Sequence, residues 1–436
     1  MQAVIMAGGK GTRLRSITKD EIPKPMAPVA GKPILQWQIE QLRNQGVNDI
    51  VLVIGHLGHK IREFFNNGEN FGVNIRYIEE CVPLGTAGAL SLVSPLLTGD
   101  CFFLIFGDVL FDIDLERMAD FHRVNDALVT LFVHPNVHPF DSDLVVCNTQ
   151  GRVTHFDSKH NVRDYWYHNC VNAGFYIINR KVCELVPVET KVDLEKELLT
   201  GLIESGKKVF AYRSPEYIKD VGTVERIQKA EEELSSGFIS GRSLKNKQKA
   251  IFLDRDGTIN LKNGLVYRED QFSLENGVVE AIREINSSGY LAIVVTNQPV
   301  VARGLCSVED VEVIHKKMET LLGKEGVYLD DVCFCPHHPD KGYPAENPDY
   351  KVPCHCRKPD IGMIEECAEK FNIDLSQSWM VGDTTVDIQT GINAGTHTAL
   401  LLTGDAGKDG KYRVDPDIVC KDLPDAVQQI IYGGTL

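Results

Sequence analysis

An apolar strand that runs straight into a phosphate-type loop starts this chain, and the same arrangement recurs near its middle. Ala3–Met6 leads into Ala7-Gly8-Gly9-Lys10-Gly11-Thr12-Arg13, and Ala250–Leu253 leads into Asp254-Arg255-Asp256-Gly257-Thr258. The first loop is a glycine cradle, where backbone N–H groups can approach a polyphosphate closely. The second sets two carboxylates two residues apart at a strand end. One site does not need both devices, so the sequence predicts two domains with two active sites. A length of 436 residues also exceeds one ordinary domain.

Short β-branched runs alternate with helix-length stretches in both halves, the pattern of an α/β fold with a largely parallel sheet and helices on both faces. Strands are expected at Gln2–Met6, Ile50–Ile54, Ile75–Ile78, Cys101–Ile105 and Leu128–Val133, and again at Ala250–Leu253, Leu291–Thr296, Ser378–Val381 and Thr398–Leu402. Helices are expected at 35–44, 88–97 and 115–124. Residues 233–249 are polar, small and finally basic, which places a linker between domains at 1–232 and 250–436.

A net charge of −15 argues against a nucleic-acid binder, which needs a basic footprint. Apolar runs such as Cys101–Phe106 are strand-sized and too short for a bilayer, and no basic amphipathic helix suggests a membrane surface. No secretory leader is apparent, and the twelve cysteines are mostly scattered singly. A reducing cytoplasm is therefore expected. Homo-oligomerisation is left open.

In the first half, Arg13 and Arg15 add fixed-geometry donors for a polyphosphate, and Pro23-Lys24-Pro25 holds a lysine between two rigid residues. The segments AGGKGTRLR at 7–15, IPKPMAPVAGKPIL at 22–35, PLGTAGAL at 83–90, FGDVLFD at 106–112, NAGFYIIN at 172–179 and KDVGTVERI at 219–227 follow in order. With these the half resembles the sugar-1-phosphate nucleotidyltransferases. The resemblance implies a Rossmann-like, GT-A-like core that joins a nucleoside triphosphate to a sugar 1-phosphate and releases pyrophosphate. It implies that Gly8, Gly9, Gly11, Thr12 and Arg13 hold the triphosphate and that Lys24 stabilises the reacting phosphates. Gly85 and Thr86 would line the base pocket, and Asp108 and Asp220 would bind magnesium. Lys159, Asn172 and Gly174 would face the sugar phosphate. Ser16 stands where proline is frequent, and Ser158 where an acid often precedes the lysine.

In the second half, one carboxylate of the Asp254/Asp256 pair can act as nucleophile and the other can protonate the leaving oxygen, the division of labour of phosphomonoester hydrolysis. Thr296-Asn297, Lys358 within Cys356-Arg357-Lys358-Pro359, and Gly382-Asp383 with Asp387 come in sequence. Together these resemble the haloacid dehalogenase (HAD) superfamily and imply a HAD-like Rossmannoid phosphatase. By that resemblance Asp254 forms an aspartyl-phosphate and Asp256 is the general acid/base. Thr296, Asn297, Arg357 and Lys358 would hold substrate, and Asp254, the Asp256 carbonyl and Asp383 would bind magnesium with support from Asp387.

Cys335-Pro336-His337-His338 and Cys354-His355-Cys356 supply two ligand pairs across a loop, enough to close a tetrahedral zinc site of structural type. Spacing alone does not separate His337 from His338 or His355. The set resembles the heptose bisphosphate and histidinol phosphate phosphatase branch, whose pattern gives Cys335, His337, Cys354 and Cys356. Pro299-Val300-Val301 departs from that branch, where small, glycine-containing segments are usual.

A heptose 1,7-bisphosphate phosphatase makes a sugar 1-phosphate, which a nucleotidyltransferase consumes, and the first half looks close to guanylyltransferases that make GDP-D-glycero-α-D-manno-heptose. The expected function is therefore bifunctional: removal of the 7-phosphate in the C-terminal domain, then transfer of GMP from GTP in the N-terminal one. The alternatives are the same activities on another sugar phosphate with UTP, dTTP or CTP, and a nucleotide or sugar-phosphate sensing module without chemistry.

Overall fold

The computed structural model describes residues 1–9 and 14–433, except the side chain of Arg15. Two compact units divide it. The first comprises 1–134, 143–158 and 170–243; the second comprises 135–142, 159–169 and 244–436.

The first unit is built on a nine-stranded sheet whose centre is parallel. Gln2–Met6 lies between Cys101–Phe106 and Asp49–Ile54, and Asn74–Glu79 continues the parallel set. Alternation splits these strands into two cores, as a sheet covered on both faces requires. Val4, Val51, Val53, Phe102 and Leu104 point to one face. Ala3, Ile5, Leu52, Phe103 and Ile105 point to the other. Beyond the parallel set, Val171–Asn179 pairs antiparallel with Cys101–Phe106 and with Val129–His134, so the sheet is mixed. Its register shifts between Asn172 and Tyr176.

The helix expected at 88–97 is broken into Leu90–Val93 and a 3₁₀ turn at Ser94–Leu96. Pro95 accounts for the break, because proline has no backbone N–H to continue the helical hydrogen-bond ladder. The stretch 233–249 is not extended throughout. The helix Val224–Ser235, capped by the Thr223 hydroxyl on the Arg226 N–H, runs into it. A further helical turn, Phe238–Gly241, buries Ile239 beside Ala230 and Tyr217.

In the second unit, Asp331–Cys335, Tyr290–Asn297, Lys249–Leu253, Trp379–Gly382, His397–Leu401 and Ile418–Cys420 form a fully parallel sheet in that order. Lys249–Leu253 sits where the chain order reverses, and ligands of such sheets bind outside the strand ends at that point. The loop beginning at Asp254 leaves the sheet there. Val300 and Val301, which depart from the family pattern, bury themselves with Val311 in a local apolar cluster. No helix among the described residues is long and apolar enough to cross a membrane.

Candidate active sites

In the first unit, the end of Gln2–Met6 opens on a cavity of about 450 Å³. Gly8, Gly9, Lys24, Gly85, Thr86 and Asp108 all line it, so elements separated widely in sequence converge as expected. Gly11, Thr12 and Arg13 lie outside the described residues. The ammonium of Lys24 is hydrogen-bonded to Asp108 Oδ2 and stands 3.9 Å from Asp220 Oδ1. Asp220 Oδ2 accepts from Arg226 Nη1 at 2.7 Å, whereas its Oδ1 is buried without a hydrogen bond. Two carboxylates thus face one ammonium with acceptor capacity to spare, a donor set suited to a hard, oxygen-ligated cation.

Asn172 and Gly174 lie on the register shift of Val171–Asn179, and Gly174 packs against the ring of Phe106, which lines the cavity. The Asn172 amide donates to Tyr176 Oη at 2.6 Å and to Glu195 Oε1 at 2.8 Å. Lys159 is not brought to this lining. It belongs to the second unit, where its ammonium lies 3.8 Å from Asp141 Oδ1. The segment that carries it, 159–169, packs with residues of that unit instead.

Two acids of this unit escaped the sequence reading. Glu195 is buried with Tyr176 and Asn172, and burial pushes its carboxyl up. Glu80 lines the cavity, accepts from the Leu84 N–H at 3.1 Å and is likewise raised by burial. Its position four residues before Leu84-Gly85-Thr86 was the available signal.

In the second unit, Lys358 is the hub. Its ammonium donates to Asp254 Oδ1 at 2.7 Å and to Asp387 Oδ1 at 2.6 Å, with all three side chains nearly inaccessible. Its backbone is fixed by a reciprocal pair: the Lys358 N–H donates to Asn297 Oδ1, and the Asn297 amide donates to Lys358 O, both at 3.0 Å. Thr296 is buried and its hydroxyl accepts from Gln298 at 3.0 Å.

Asp254, Asp383 and Asp387 bring carboxylate oxygens within 4.8 Å of one another. Burial, with repulsion from Asp254 and Asp387, pushes Asp383 up to about 7. Asp254 is raised by burial too, against the attraction of Lys358. Lys262 donates to Asp383 Oδ2 at 2.9 Å, yet Asp383 Oδ1 is buried without a hydrogen bond. Three crowded carboxylates with a spare acceptor fit a divalent cation. Gly257 keeps the space open: its φ is +92°, and an added Cβ would stand 2.5 Å from the Asp383 carboxylate.

Asp256 is held differently. Burial alone would raise its carboxyl, but the neighbouring Arg255, with Gln298 and Asn260, outweighs that and holds it low. Arg255 Nη2 donates to both carboxylate oxygens at 2.9 Å, Gln298 Nε2 at 2.9 Å and Asn260 Nδ2 at 3.0 Å. The Asp256 side chain is not in the carboxylate cluster, so any metal contact from this residue falls to its carbonyl. Lys262, Asn260 and Gln298 were missed by sequence, although the last two flank the Asp256 and Asn297 motifs directly.

Cys335, His337, Cys354 and Cys356 come together, with sulfur separations of 3.2 to 3.4 Å and His337 Nδ1 3.4 Å from Cys356 Sγ. Ligands around a tetrahedral zinc, at about 2.3 Å per bond, stand roughly 3.8 Å apart, so the set needs little adjustment. Hydrogen bonds from Cys335, Cys354 and His337 hold the Cys356 thiol down to about 5 against burial. His338 is turned away toward Asp340, and His355 pairs with Glu365. Arg357 donates to His337 O at 3.0 Å, tying this cluster to the residue before Lys358.

Residues 2–237 match the family model for nucleotidyl transferases, and residues 355–426 match that of HAD-hydrolase-like proteins. The chain belongs to the nucleotidyl transferase family, carrying a HAD-like hydrolase as its second half. A D-glycero-beta-D-manno-heptose-1,7-bisphosphate 7-phosphatase from Haemophilus ducreyi is 36% identical over 184 residues, 42% of this chain and 98% of that protein. A D-glycero-alpha-D-manno-heptose 1-phosphate guanylyltransferase from Aneurinibacillus thermoaerophilus is 33% identical over 54% of this chain and 98% of its own length. The solved structure of HddC from Yersinia pseudotuberculosis aligns with a TM-score of 0.46 and 26% identity, covering 53% of this chain and 99% of that one. The protein is an enzyme with both a nucleotidyltransferase and a phosphatase half.

Proposed function

We propose that the chain performs two successive steps toward a nucleotide-activated heptose. Its second half removes the 7-phosphate of D-glycero-α-D-manno-heptose 1,7-bisphosphate, and its first half transfers GMP from GTP to the heptose 1-phosphate, releasing pyrophosphate. The observation that carries this reading is that relatives of one half are named for removing the 7-phosphate of a heptose 1,7-bisphosphate and a relative of the other for guanylyl transfer to a heptose 1-phosphate. The phosphatase relatives are named for the β anomer and the guanylyltransferase relative for the α. Hydrolysis at the 7-position leaves C1 untouched, so both halves must handle one anomer, and the consuming half sets it as α.

In the phosphatase, an Asp254 carboxylate oxygen attacks phosphorus while the bond from phosphorus to the sugar oxygen breaks; Asp256, held ionised at rest by Arg255, takes up a proton as substrate binds and passes it to that oxygen. Water then attacks the aspartyl-phosphate, Asp256 takes the water's proton, and the bond from phosphorus to Asp254 oxygen breaks to release phosphate. Lys358, Thr296 and Asn297 orient the phosphoryl group, and Arg357 faces the substrate from the neighbouring loop. Magnesium held by Asp254, Asp383 and the Asp256 carbonyl, with Asp387 behind, would neutralise phosphate charge. Zinc held by Cys335, His337, Cys354 and Cys356 would clamp the loop that ends at Arg357 and Lys358.

In the transferase, the sugar phosphate oxygen attacks the α-phosphorus of the triphosphate without a protein nucleophile, so positioning dominates. Gly8, Gly9, Gly11, Thr12 and Arg13 cradle the triphosphate. Lys24, paired with Asp108 in this structure, turns to the reacting phosphates when they enter. Magnesium on Asp108 and Asp220 would offset the repulsion of the two anions. Asn172 and Gly174 face the sugar phosphate. Twelve cysteines, none of them in a disulfide, suit a reducing cytoplasm.

Glu80 favours guanine over the other bases. A carboxylate accepts two adjacent hydrogen bonds, and guanine offers the pair from its ring N–H and exocyclic amine, which uracil, thymine, cytosine and adenine do not. Glu80→Gln is expected to lower kcat/KM with GTP by about ten- to a hundredfold, the cost of one charge-assisted pair. Rates with UTP or dTTP should change little. Pyrophosphate release across a nucleotide panel reads this, and a panel in which wild type prefers UTP would remove GTP from the proposal.

A further inference from the structure

The segments 135–142 and 159–169 fall, in sequence, among the strands of the first unit, yet both pack into the second. They are stapled to each other. The Asn136 N–H donates to Asn169 Oδ1 at 3.0 Å, and the Asn169 amide donates to Asn136 O at 2.6 Å. Arg163 donates to Pro139 O at 2.8 Å and to Ser142 O at 2.7 Å.

The pair lies along the helix Val308–Lys324, whose buried face is unusually polar, with His315, Glu319 and Thr320 each no more than 3% exposed. A helix buries such groups only if they are partnered. For Glu319 and Thr320 the strap formed by 159–169 supplies partners from its backbone. The Tyr167 N–H donates to the Thr320 hydroxyl at 2.9 Å, that hydroxyl donates to Tyr167 O at 3.0 Å, and the Asn169 N–H donates to Glu319 Oε2 at 2.6 Å. His168 stands 3.5 Å from Glu312 and 3.3 Å from Glu319. The Trp166 indole donates to Glu269 and lies under Lys317 and Lys324. Gly323 allows the closest approach, since a Cβ there would stand 2.5 Å from Pro139.

The same helix face reaches the phosphatase site. His315 Nε2 is 3.3 Å from Arg255 Nη1, and Arg255, wholly buried, is the residue that grips both oxygens of Asp256. Arg255 can only donate, so the neutral imidazole must accept at Nε2. We infer that His315 is a positioning residue for the general acid/base, and that the strap 159–169 is part of the phosphatase because it fixes the helix that carries His315. This rests on the phosphatase chemistry proposed for Asp254 and Asp256.

Leaving-group dependence in the full-length protein tests it. A sugar phosphate needs Asp256 to protonate the departing oxygen, whereas p-nitrophenyl phosphate releases a phenolate that needs no proton. Both substrates need Asp256 to activate water in the second step. His315→Leu is therefore expected to lower kcat on the sugar bisphosphate about tenfold or more. On p-nitrophenyl phosphate the first-turnover release of phenolate should stay within about twofold while steady turnover slows, so a burst appears. His315→Gln, which keeps an acceptor for Arg255, should recover most of the loss. Trp166→Ala combined with His168→Ala should move the rates the same way, and it carries the test if His315→Leu does not fold. Equal losses in first-turnover and steady rates on both substrates, or no loss in either variant, would overturn the inference. Absence of any phosphatase activity in the unaltered protein would instead strike the chemistry at Asp254, which keeps the two failures distinct.

Discussion

Asp254→Asn is expected to abolish phosphate release, by about 10³-fold or more, while leaving pyrophosphate release from the first half untouched. The size follows from the role. An amide cannot form the aspartyl-phosphate, and no other carboxylate is placed to replace it, because Asp387 is engaged by Thr384 and Lys358, and Asp383 by Lys262 and the Asp405 N–H. The substitution should not unfold the unit. Lys358 keeps its bond to Asp387, and removing one of three crowded carboxylates relieves repulsion that burial has concentrated there. Assays of inorganic phosphate and pyrophosphate on the same preparation distinguish the outcomes, and joint loss of both products would mean one coupled site rather than two.

Lys24→Ala should produce the mirror image: pyrophosphate release falling by about 10²- to 10³-fold, the usual cost of losing one preorganised donor to a developing negative charge, with phosphate release unchanged. Among the described residues Lys24 is the cation that both Asp108 and Asp220 face, and its neighbours Pro23 and Pro25 fix the backbone from which it reaches. The loss should fall mainly on kcat, since the proposed contact strengthens as charge builds between the phosphates. A change confined to KM for the triphosphate would reduce Lys24 to a ground-state anchor.

The chemistry-bearing motifs were legible because each is local. Asp254-x-Asp256, Thr296-Asn297 and Gly382-Asp383 sit at or near strand ends, and a parallel sheet brings strand ends together whatever the loops do, while Lys358 comes from a loop and was read from its Cys-Arg-Lys-Pro motif. The paired cysteine clusters were readable for the same reason, because spacing within each pair limits their geometry. What escaped depends on contacts distant in sequence. Lys262 meets Asp383 across 121 positions, and the partner of Asn172 is Glu195 on another element. The antiparallel strands Leu144–Cys147 and Val153–Asp157 are short and half exposed, so no long apolar run announces them. Lys159 shows the limit most clearly. The resemblance assigned it to the sugar phosphate, whereas the structure groups 159–169 with the second unit, where Tyr167 and Asn169 bond to Thr320 and Glu319 some 150 residues away, a contact no local pattern encodes.

The account stands on two separate sites that act in sequence on one sugar. Mass analysis of the products formed from GTP, magnesium and D-glycero-α-D-manno-heptose 1,7-bisphosphate by the full-length protein tests this directly. The expected result is GDP-heptose carrying no 7-phosphate, with phosphate and pyrophosphate released one for one, and with heptose 1-phosphate accumulating when GTP is left out. A GDP-sugar that retains the 7-phosphate, or phosphate release only when GTP is present, would contradict it.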